Sequence, residues 1–268
     1  VIRRNRITGA PVLLAPNRLH RPHALGGDEE IVCPFCPGNE HETPPEIWRD
    51  GDPWSIRVFP NKYPASERHE VIVETNDHEA LFEDIPHADA VVDAWLTRYR
   101  ALSPAIIFKN DGRTAGASLA HAHSQILGTP VVPPRLAADA EAFAHAARCP
   151  LCDVDDEPLV RESEHYRVIA PRGSAFAYEQ WIVPCAHTND VDDPHELATL
   201  LQSAARASRS VARGFNWIFM TFPQEPRAHW YIDVIPRLGG MAGYEVGAGG
   251  AINIVDPDEA AAALRQRQ

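Results

Sequence analysis

Two kinds of side chain stand out for the chemistry their spacing allows. Four of the five cysteines form two Cys-x-x-Cys pairs, Cys33-Pro-Phe-Cys36 and Cys149-Pro-Leu-Cys152. Without a secretory signal, such pairs are metal ligands or redox centres more often than disulfides. The second feature is His121-Ala-His123-Ser-Gln125, which follows the glycine-bearing stretch Asn110-Asp-Gly-Arg-Thr-Ala-Gly116-Ala117-Ser118. Side chains at i, i+2 and i+4 of a strand share one face, so a strand beginning at Leu119 puts His121, His123 and Gln125 in a row. A neutral imidazole can attack phosphorus and leave again, and an amide can donate to a phosphoryl oxygen without competing as a base. Gly112, Gly116, Ala117 and Ser118 are small enough to let backbone N–H groups approach a phosphate.

The chain also repeats itself. Cys36 is followed by Trp54-Ser-Ile-Arg-Val-Phe-Pro, Glu70-Val-Ile-Val-Glu and His78. Cys152 is followed by His165-Tyr-Arg-Val-Ile-Ala-Pro, Gln180-Trp-Ile-Val-Pro and His187. His78 lies 43 residues before His121, and His187 lies 42 before His229. Landmarks in one order at nearly equal spacing define a duplicated unit. Each copy offers two thiolates and two imidazoles, a set suited to tetrahedral zinc: Cys33, Cys36, His78 and His121, then Cys149, Cys152, His187 and His229. Two zinc ions per chain are expected. Aligning His229 with His121 puts Tyr231 where His123 stands and Asp233 where Gln125 stands, so the second copy is expected to be catalytically degenerate.

Each half carries one helical stretch, Ala88 to Leu102 and His195 to Ala212, among short β-type runs. The predicted fold class is α+β: two tandem units with mainly antiparallel sheets, packed as an intramolecular pseudo-dimer. The connector Pro130 to Arg148 opens with Pro-Val-Val-Pro-Pro and continues as an alanine-rich helix, which places the units at residues 1–140 and 141–268. The net charge of −12 argues against a general nucleic-acid or anionic-membrane surface. No apolar run approaches the length of a membrane span, and no signal peptide is apparent, so a cytoplasmic location is expected. Lys62 and Lys109 are the two lysines of the chain.

These residues resemble the galactose-1-phosphate uridylyltransferase branch of the histidine-triad superfamily. The resemblance covers nearly the whole chain and implies two histidine-triad-like units, the first of them active. It assigns the covalent nucleophile to His123, with Gln125 beside it where hydrolases of the superfamily carry a third histidine. Arg18 and Arg21 are similar to an arginine pair that meets phosphate and sugar. Asn61 and Lys62 are similar to a nucleoside-binding loop, Asn110, Gly116 and Ser118 to a phosphate loop, and Tyr244 and Glu245 to a hexose-gripping segment. The implied reaction is ping-pong transfer of a nucleoside monophosphate from a nucleotide sugar to a sugar phosphate. The preferred substrates are UDP-glucose and galactose 1-phosphate, which is galactose metabolism, and a homodimer is compatible. The alternatives are an ADP-sugar or dinucleoside-polyphosphate phosphorylase, or a non-catalytic zinc-stabilised nucleotide-binding module. Lys62 stands where uridylyltransferases of this kind often carry Asp, and the second zinc pattern is similar to that of ADP-sugar phosphorylases.

Overall fold

A computed structural model describes residues 1–20 and 32–267. The chain opens with a small hairpin of β1 (Ile2–Arg4) and β2 (Pro11–Leu13). The first half continues as β3 (Trp48–Gly51), β4 (Trp54–Pro60), β5 (Arg68–Val73), α1 (Ala88–Leu102), β6 (Ala105–Asp111) and β7 (His123–Gly128). Helix α2 (Pro134–His145) connects to β8 (Leu159–Glu162), β9 (Tyr166–Ile169), β10 (Gln180–Pro184), α3 (Pro194–Val211), β11 (Phe215–Met220) and β12 (Tyr231–Pro236). Two shorter helices, α4 (Gly243–Ala248) and α5 (Pro257–Arg265), complete the described chain. No described helix is long and apolar enough to cross a membrane.

Strands β3 to β12 form one ten-stranded antiparallel sheet in the order β3-β4-β5-β7-β6-β11-β12-β10-β9-β8. The order reads the same from either edge once the second half is matched to the first, so β7 corresponds to β12 and β5 to β10. The fold is α+β, a pseudo-dimer of two similar units. Its seam is the β6–β11 ladder, running from Phe215 opposite Asp111 to Phe219 opposite Ile107.

Helices α1 and α3 pack together on one face of this sheet. Val91, Val92 and Trp95 of α1 recur at helical spacing and are buried with Leu197, Leu200, Leu201 and Ala204 of α3. Helix α3 starts cleanly because Asp193 accepts a hydrogen bond from the Glu196 N–H (2.9 Å) and Pro194 needs no donor there. The helices leave the opposite sheet face for other uses. In the first half that face carries Phe35, Phe59, Val71 and Val73. In the second half α2 covers it, with Leu136, Ala140 and Phe143 against Met220, Phe222 and Tyr231.

One expected boundary differs. Strand β7 begins at His123 rather than Leu119, so His121 precedes the ladder. Beyond it the Glu74 N–H still reaches the Ala122 carbonyl (3.1 Å), but the Glu74 carbonyl, the next acceptor along, takes its hydrogen bond from His87 Nε2 (3.0 Å), and His121 turns to the Thr75 carbonyl (2.8 Å).

Candidate active site and metal centres

The loop between β6 and β7 is shaped by glycine. Gly112 has φ +79°, and a Cβ there would come within 2.6 Å of the Arg213 carbonyl. Gly116 closes the turn at φ +84° in the left-handed region. Ser118, His123 and Gln125 line a cleft of about 410 Å³ together with Phe35, Asn61 and Lys62.

The floor of the cleft is organised by hydrogen bonds that decide tautomers. His123 Nδ1 lies 2.7 Å from the carbonyl of His121, so that nitrogen must donate and the ring lone pair sits on Nε2. Phe35 packs edge-on against the same imidazole, with centroids 5.2 Å apart. His69 Nδ1 accepts from the Ala65 N–H (3.0 Å), which puts the His69 proton on Nε2, aimed at Gln125 Oε1 at 3.1 Å. Asn61 Nδ2 donates to the same oxygen at 3.4 Å. The Gln125 carbonyl is thereby held, and its amide Nε2 is buried with no hydrogen-bond partner among the described residues. A buried donor left unmade costs on the order of 1–3 kcal/mol, a cost recovered when an acceptor arrives.

Sequence reasoning missed His69 and Phe35. The first had a usable signal: it sits two residues before Val71 on the alternating face of β5, and Val71 pairs with Gln125. Phe35 had none beyond its place inside a Cys-x-x-Cys turn.

The other predicted site residues fall into groups. Asn61 and Lys62 line the cleft. Lys62 Nζ donates to the Glu42 carbonyl (3.1 Å), which draws it toward the rim. Arg18 is half-buried and donates to the Tyr63 carbonyl (2.6 Å), so it braces the Asn61–Tyr63 turn. Arg21 lies outside the described residues. Asn110 is at the seam, where its Oδ1 accepts from Asn216 Nδ2 (2.8 Å). Ala117 is buried behind Ser118. Tyr244 and Glu245 do not line the cleft; Tyr244 is exposed on α4, and Glu245 accepts from the Ala242 N–H at its N-terminus.

Both four-ligand groups assemble. In each, one donor atom from every residue lies within 4.8 Å of all the others. In the first, Cys36 Sγ is 3.2 Å from His78 Nδ1, and Cys33 Sγ is 3.7 Å from His121 Nδ1. A zinc tetrahedron with the usual Zn–S and Zn–N distances has edges of about 3.6 Å. The bond from His121 Nε2 to Thr75 leaves the lone pair on Nδ1, the nitrogen that faces the thiols. In the second, Cys152 Sγ is 3.3 Å from His187 Nδ1 and 3.6 Å from His229 Nε2. His229 Nδ1 donates to the Trp230 carbonyl, so here the lone pair is on Nε2. Burial pushes the Cys33 and Cys152 thiols up to about 11, so neither ionises near neutrality without a cation to hold it. The donor sets fit zinc. Cys185 is exposed and belongs to neither group.

The second unit is filled at the corresponding positions. Tyr231 and Asp233 occupy β12 where β7 has His123 and Gln125. Arg135 of α2 reaches down to Asp233 (2.6 Å), and the Tyr231 hydroxyl lies 3.4 Å from Asp139. Burial raises the Tyr231 phenol, which keeps it neutral and poorly nucleophilic.

The first unit thus brings together an imidazole, an amide donor and a glycine loop. A family model described as galactose-1-phosphate uridyl transferase, N-terminal domain, matches residues 64–133. The chain is 29% identical to an ADP-glucose phosphorylase of Arabidopsis thaliana, over 99% of this chain and 92% of that one. It is 28% identical to a galactose-1-phosphate uridylyltransferase of Thermotoga maritima, over 94% of this chain and 91% of that one. The crystal structure of an Arabidopsis thaliana ADP-glucose phosphorylase with bound ADP-glucose superposes with a TM-score of 0.80 at 29% identity, covering 100% of this chain and 98% of the other. Over nearly its whole length the chain is thus similar to proteins named for ADP-glucose phosphorylase and galactose-1-phosphate uridylyltransferase activity.

Proposed function

We propose that His123 carries a nucleoside monophosphate between a nucleoside diphosphate sugar and a phosphate acceptor. His123 Nε2 attacks the α-phosphorus, the N–P bond forms, and the bond to the bridging oxygen breaks so that the sugar 1-phosphate leaves with the electron pair. An acceptor phosphate oxygen then attacks the same phosphorus and Nε2 departs with its lone pair. Throughout, Nδ1 keeps its proton, held at 2.7 Å from the His121 carbonyl. The observation that supports this reading is the pairing of that fixed tautomer with the Gln125 amide, which has no partner among the described residues and would donate to a nonbridging oxygen as charge gathers on it. Ser118 and the loop around Gly116 supply the phosphate cradle, and Asn61 and Lys62 meet the nucleoside.

Zinc at both four-ligand groups is part of the proposal. A closed four-ligand zinc does no chemistry on substrate; it locks the loops, and at the first site it locks His121, whose carbonyl orients His123. The units 1–140 and 141–268 then divide the work, the first transferring and the second supporting.

For the donor we favour ADP-glucose with inorganic phosphate as acceptor, reversing the order of preference reached from sequence. The relative named for that activity aligns with 99% of the chain, and Lys62 stands where the uridylyl enzymes often carry Asp. The second reading, UDP-glucose with galactose 1-phosphate, is supported by the family match over residues 64–133. The test uses donors labelled at the α-phosphate. ADP-glucose should label the protein, and phosphate should release labelled ADP. Labelling by UDP-glucose alone, discharged by galactose 1-phosphate, would establish the second reading, and labelling by neither donor would sink both.

A further inference from the structure

Beneath His123, on the helix side of the sheet, lies a buried ion pair that the proposed reaction does not use. Lys109 of β6 is 1% exposed, and Glu74, just beyond the end of β5, is 0% exposed. Lys109 Nζ donates to Glu74 Oε2 at 2.5 Å, and also to the main-chain carbonyl of His123 at 3.2 Å. The Glu74 N–H donates to the Ala122 carbonyl (3.1 Å), and the Glu74 carbonyl accepts from His87 Nε2 (3.0 Å). The ammonium stands 5.4 Å from the centroid of Phe82, and Trp95 holds Ser124 beside the carboxylate through a 2.6 Å bond. The two peptide units flanking His123, which carry the Ala122 and His123 carbonyls, are therefore tied to this buried pair.

Stability does not account for this cluster. Taking two charges out of water is expensive, and well-packed apolar residues often serve a fold as well or better. The second half of this molecule does so at the matching positions. The registers Phe108 opposite Gln125 and Ile218 opposite Asp233 make Phe219 the counterpart of Lys109. Ile72 opposite Ser124 and Ile182 opposite Ile232 make Pro184 the counterpart of Glu74 and Ile232 that of Ser124. Phe219, Pro184 and Ile232 are all buried. The same sheet is thus built twice, once with charges under the strand and once without, and the charges lie under the unit that has the histidine.

We infer that Lys109 and Glu74 are positioning residues for His123: the ammonium grips the His123 carbonyl from below and sets the height and angle at which the imidazole enters the cleft. The His121 carbonyl fixes the ring's rotation from one side, and the Lys109 bond fixes its peptide from the other. Neither residue touches substrate. A nucleophile displaced by about 1 Å from its line of attack can lose about 100-fold in rate with binding intact, so such a grip is worth its desolvation. Because this device matters only if His123 is the nucleophile, it rests on the function proposed above.

The test measures label uptake at saturating donor, donor affinity, zinc content and melting temperature for two variants. Lys109→Met with Glu74→Gln removes both charges at similar volume. It should fold with its zinc and bind donor within about 3-fold of the parent, yet take up label about 10- to 100-fold more slowly. Glu74→Asp keeps both charges but shortens the anchor by one methylene, drawing the ammonium back; it should also slow labelling without weakening binding. If the double variant fails to fold, Glu74→Asp decides alone. Labelling at the parent rate in a folded variant overturns the inference, and so does loss of affinity and zinc in step with rate, which would mark a structural role. Absence of label on the parent protein instead refutes the proposed function itself, which separates the two failures.

Discussion

Strands β7 and β12 present the same two positions to the same sheet face, yet one pair faces a cleft and the other lies under a helix. In the first unit, the His69 Nε2–H donates a hydrogen bond to Gln125 Oε1, and the Gln125 amide nitrogen has no hydrogen-bond partner among the described residues. In the second, Glu179 takes the place of His69 and Asp233 that of Gln125, so a donor–acceptor contact has become two carboxyls side by side. Their conflict is relieved from α2, by Arg135, with Leu136 and Phe143 filling the space alongside. The two copies thus differ at more than the proposed nucleophile: the orienting residue, the open space beside the strand and the charges beneath it differ together. The four-ligand groups and the packing of α1 against α3 have counterparts in both halves.

The largest effect expected from breaking this contrast is at the two matched strand positions. His123→Asn should abolish covalent labelling and lower turnover by several orders of magnitude, as loss of a nucleophile does. Tyr231→Phe should leave the label in place. Near-normal turnover of the His123 variant would mean direct transfer without a covalent step.

The metal groups should separate next. Elemental analysis should find near two zinc per chain, and Cys33→Ser and Cys152→Ser should each remove one. Only the first should also slow labelling sharply, since His121 links that metal to His123. Cys152 and His187 are exposed whereas the first group is at least half-buried, so a chelator should strip the second zinc first. A single step of zinc loss with simultaneous loss of labelling would count against the distinction.

The smallest effect concerns the carboxyl pair. Burial, with the Glu179 charge next, pushes Asp233 up to about 7 from its ordinary 3.8. A carboxyl whose folded pKa is raised lends stability that is whole below the unfolded value and is lost as pH climbs through the folded one. From about pH 5 to 7 the protein should therefore lose roughly 2 kcal/mol through this group. Asp233→Asn should flatten that slope in denaturant titrations at the two pH values. An unchanged slope would show that Arg135 keeps Asp233 ionised throughout.

Much of this architecture was legible in the sequence because it was written twice. The spacing of Cys36, His78 and His121 against Cys152, His187 and His229 announced both metal groups and the tandem units, and alternation put His123 and Gln125 on one face. Side chains that meet only through strand register were not legible. Lys109 was noticed as one of two lysines, but nothing in its neighbourhood points to Glu74, 35 positions earlier in the chain. His69 was silent for the same reason, since it meets Gln125 only once β5 and β7 are paired. The start of β7 was misjudged because Leu119 to Ala122 has ordinary strand composition. At the ladder's end the Glu74 carbonyl is taken by His87, a tertiary contact that sequence pattern does not show.

The ladder between β6 and β11 has a bearing on the chain's ancestry as well as its fold. Strand β6 donates and accepts along its outer side only because β11 is covalently tethered to arrive there. Severed between the halves, each fragment would carry a raw strip of peptide hydrogen-bonding groups bordered by buried aliphatic and aromatic side chains. The nearest match for such a strip, in antiparallel orientation and with the right twist, is another copy of itself. The tether therefore makes this line a meeting of two unlike halves, one bearing His123 and Gln125 and the other Tyr231 and Asp233.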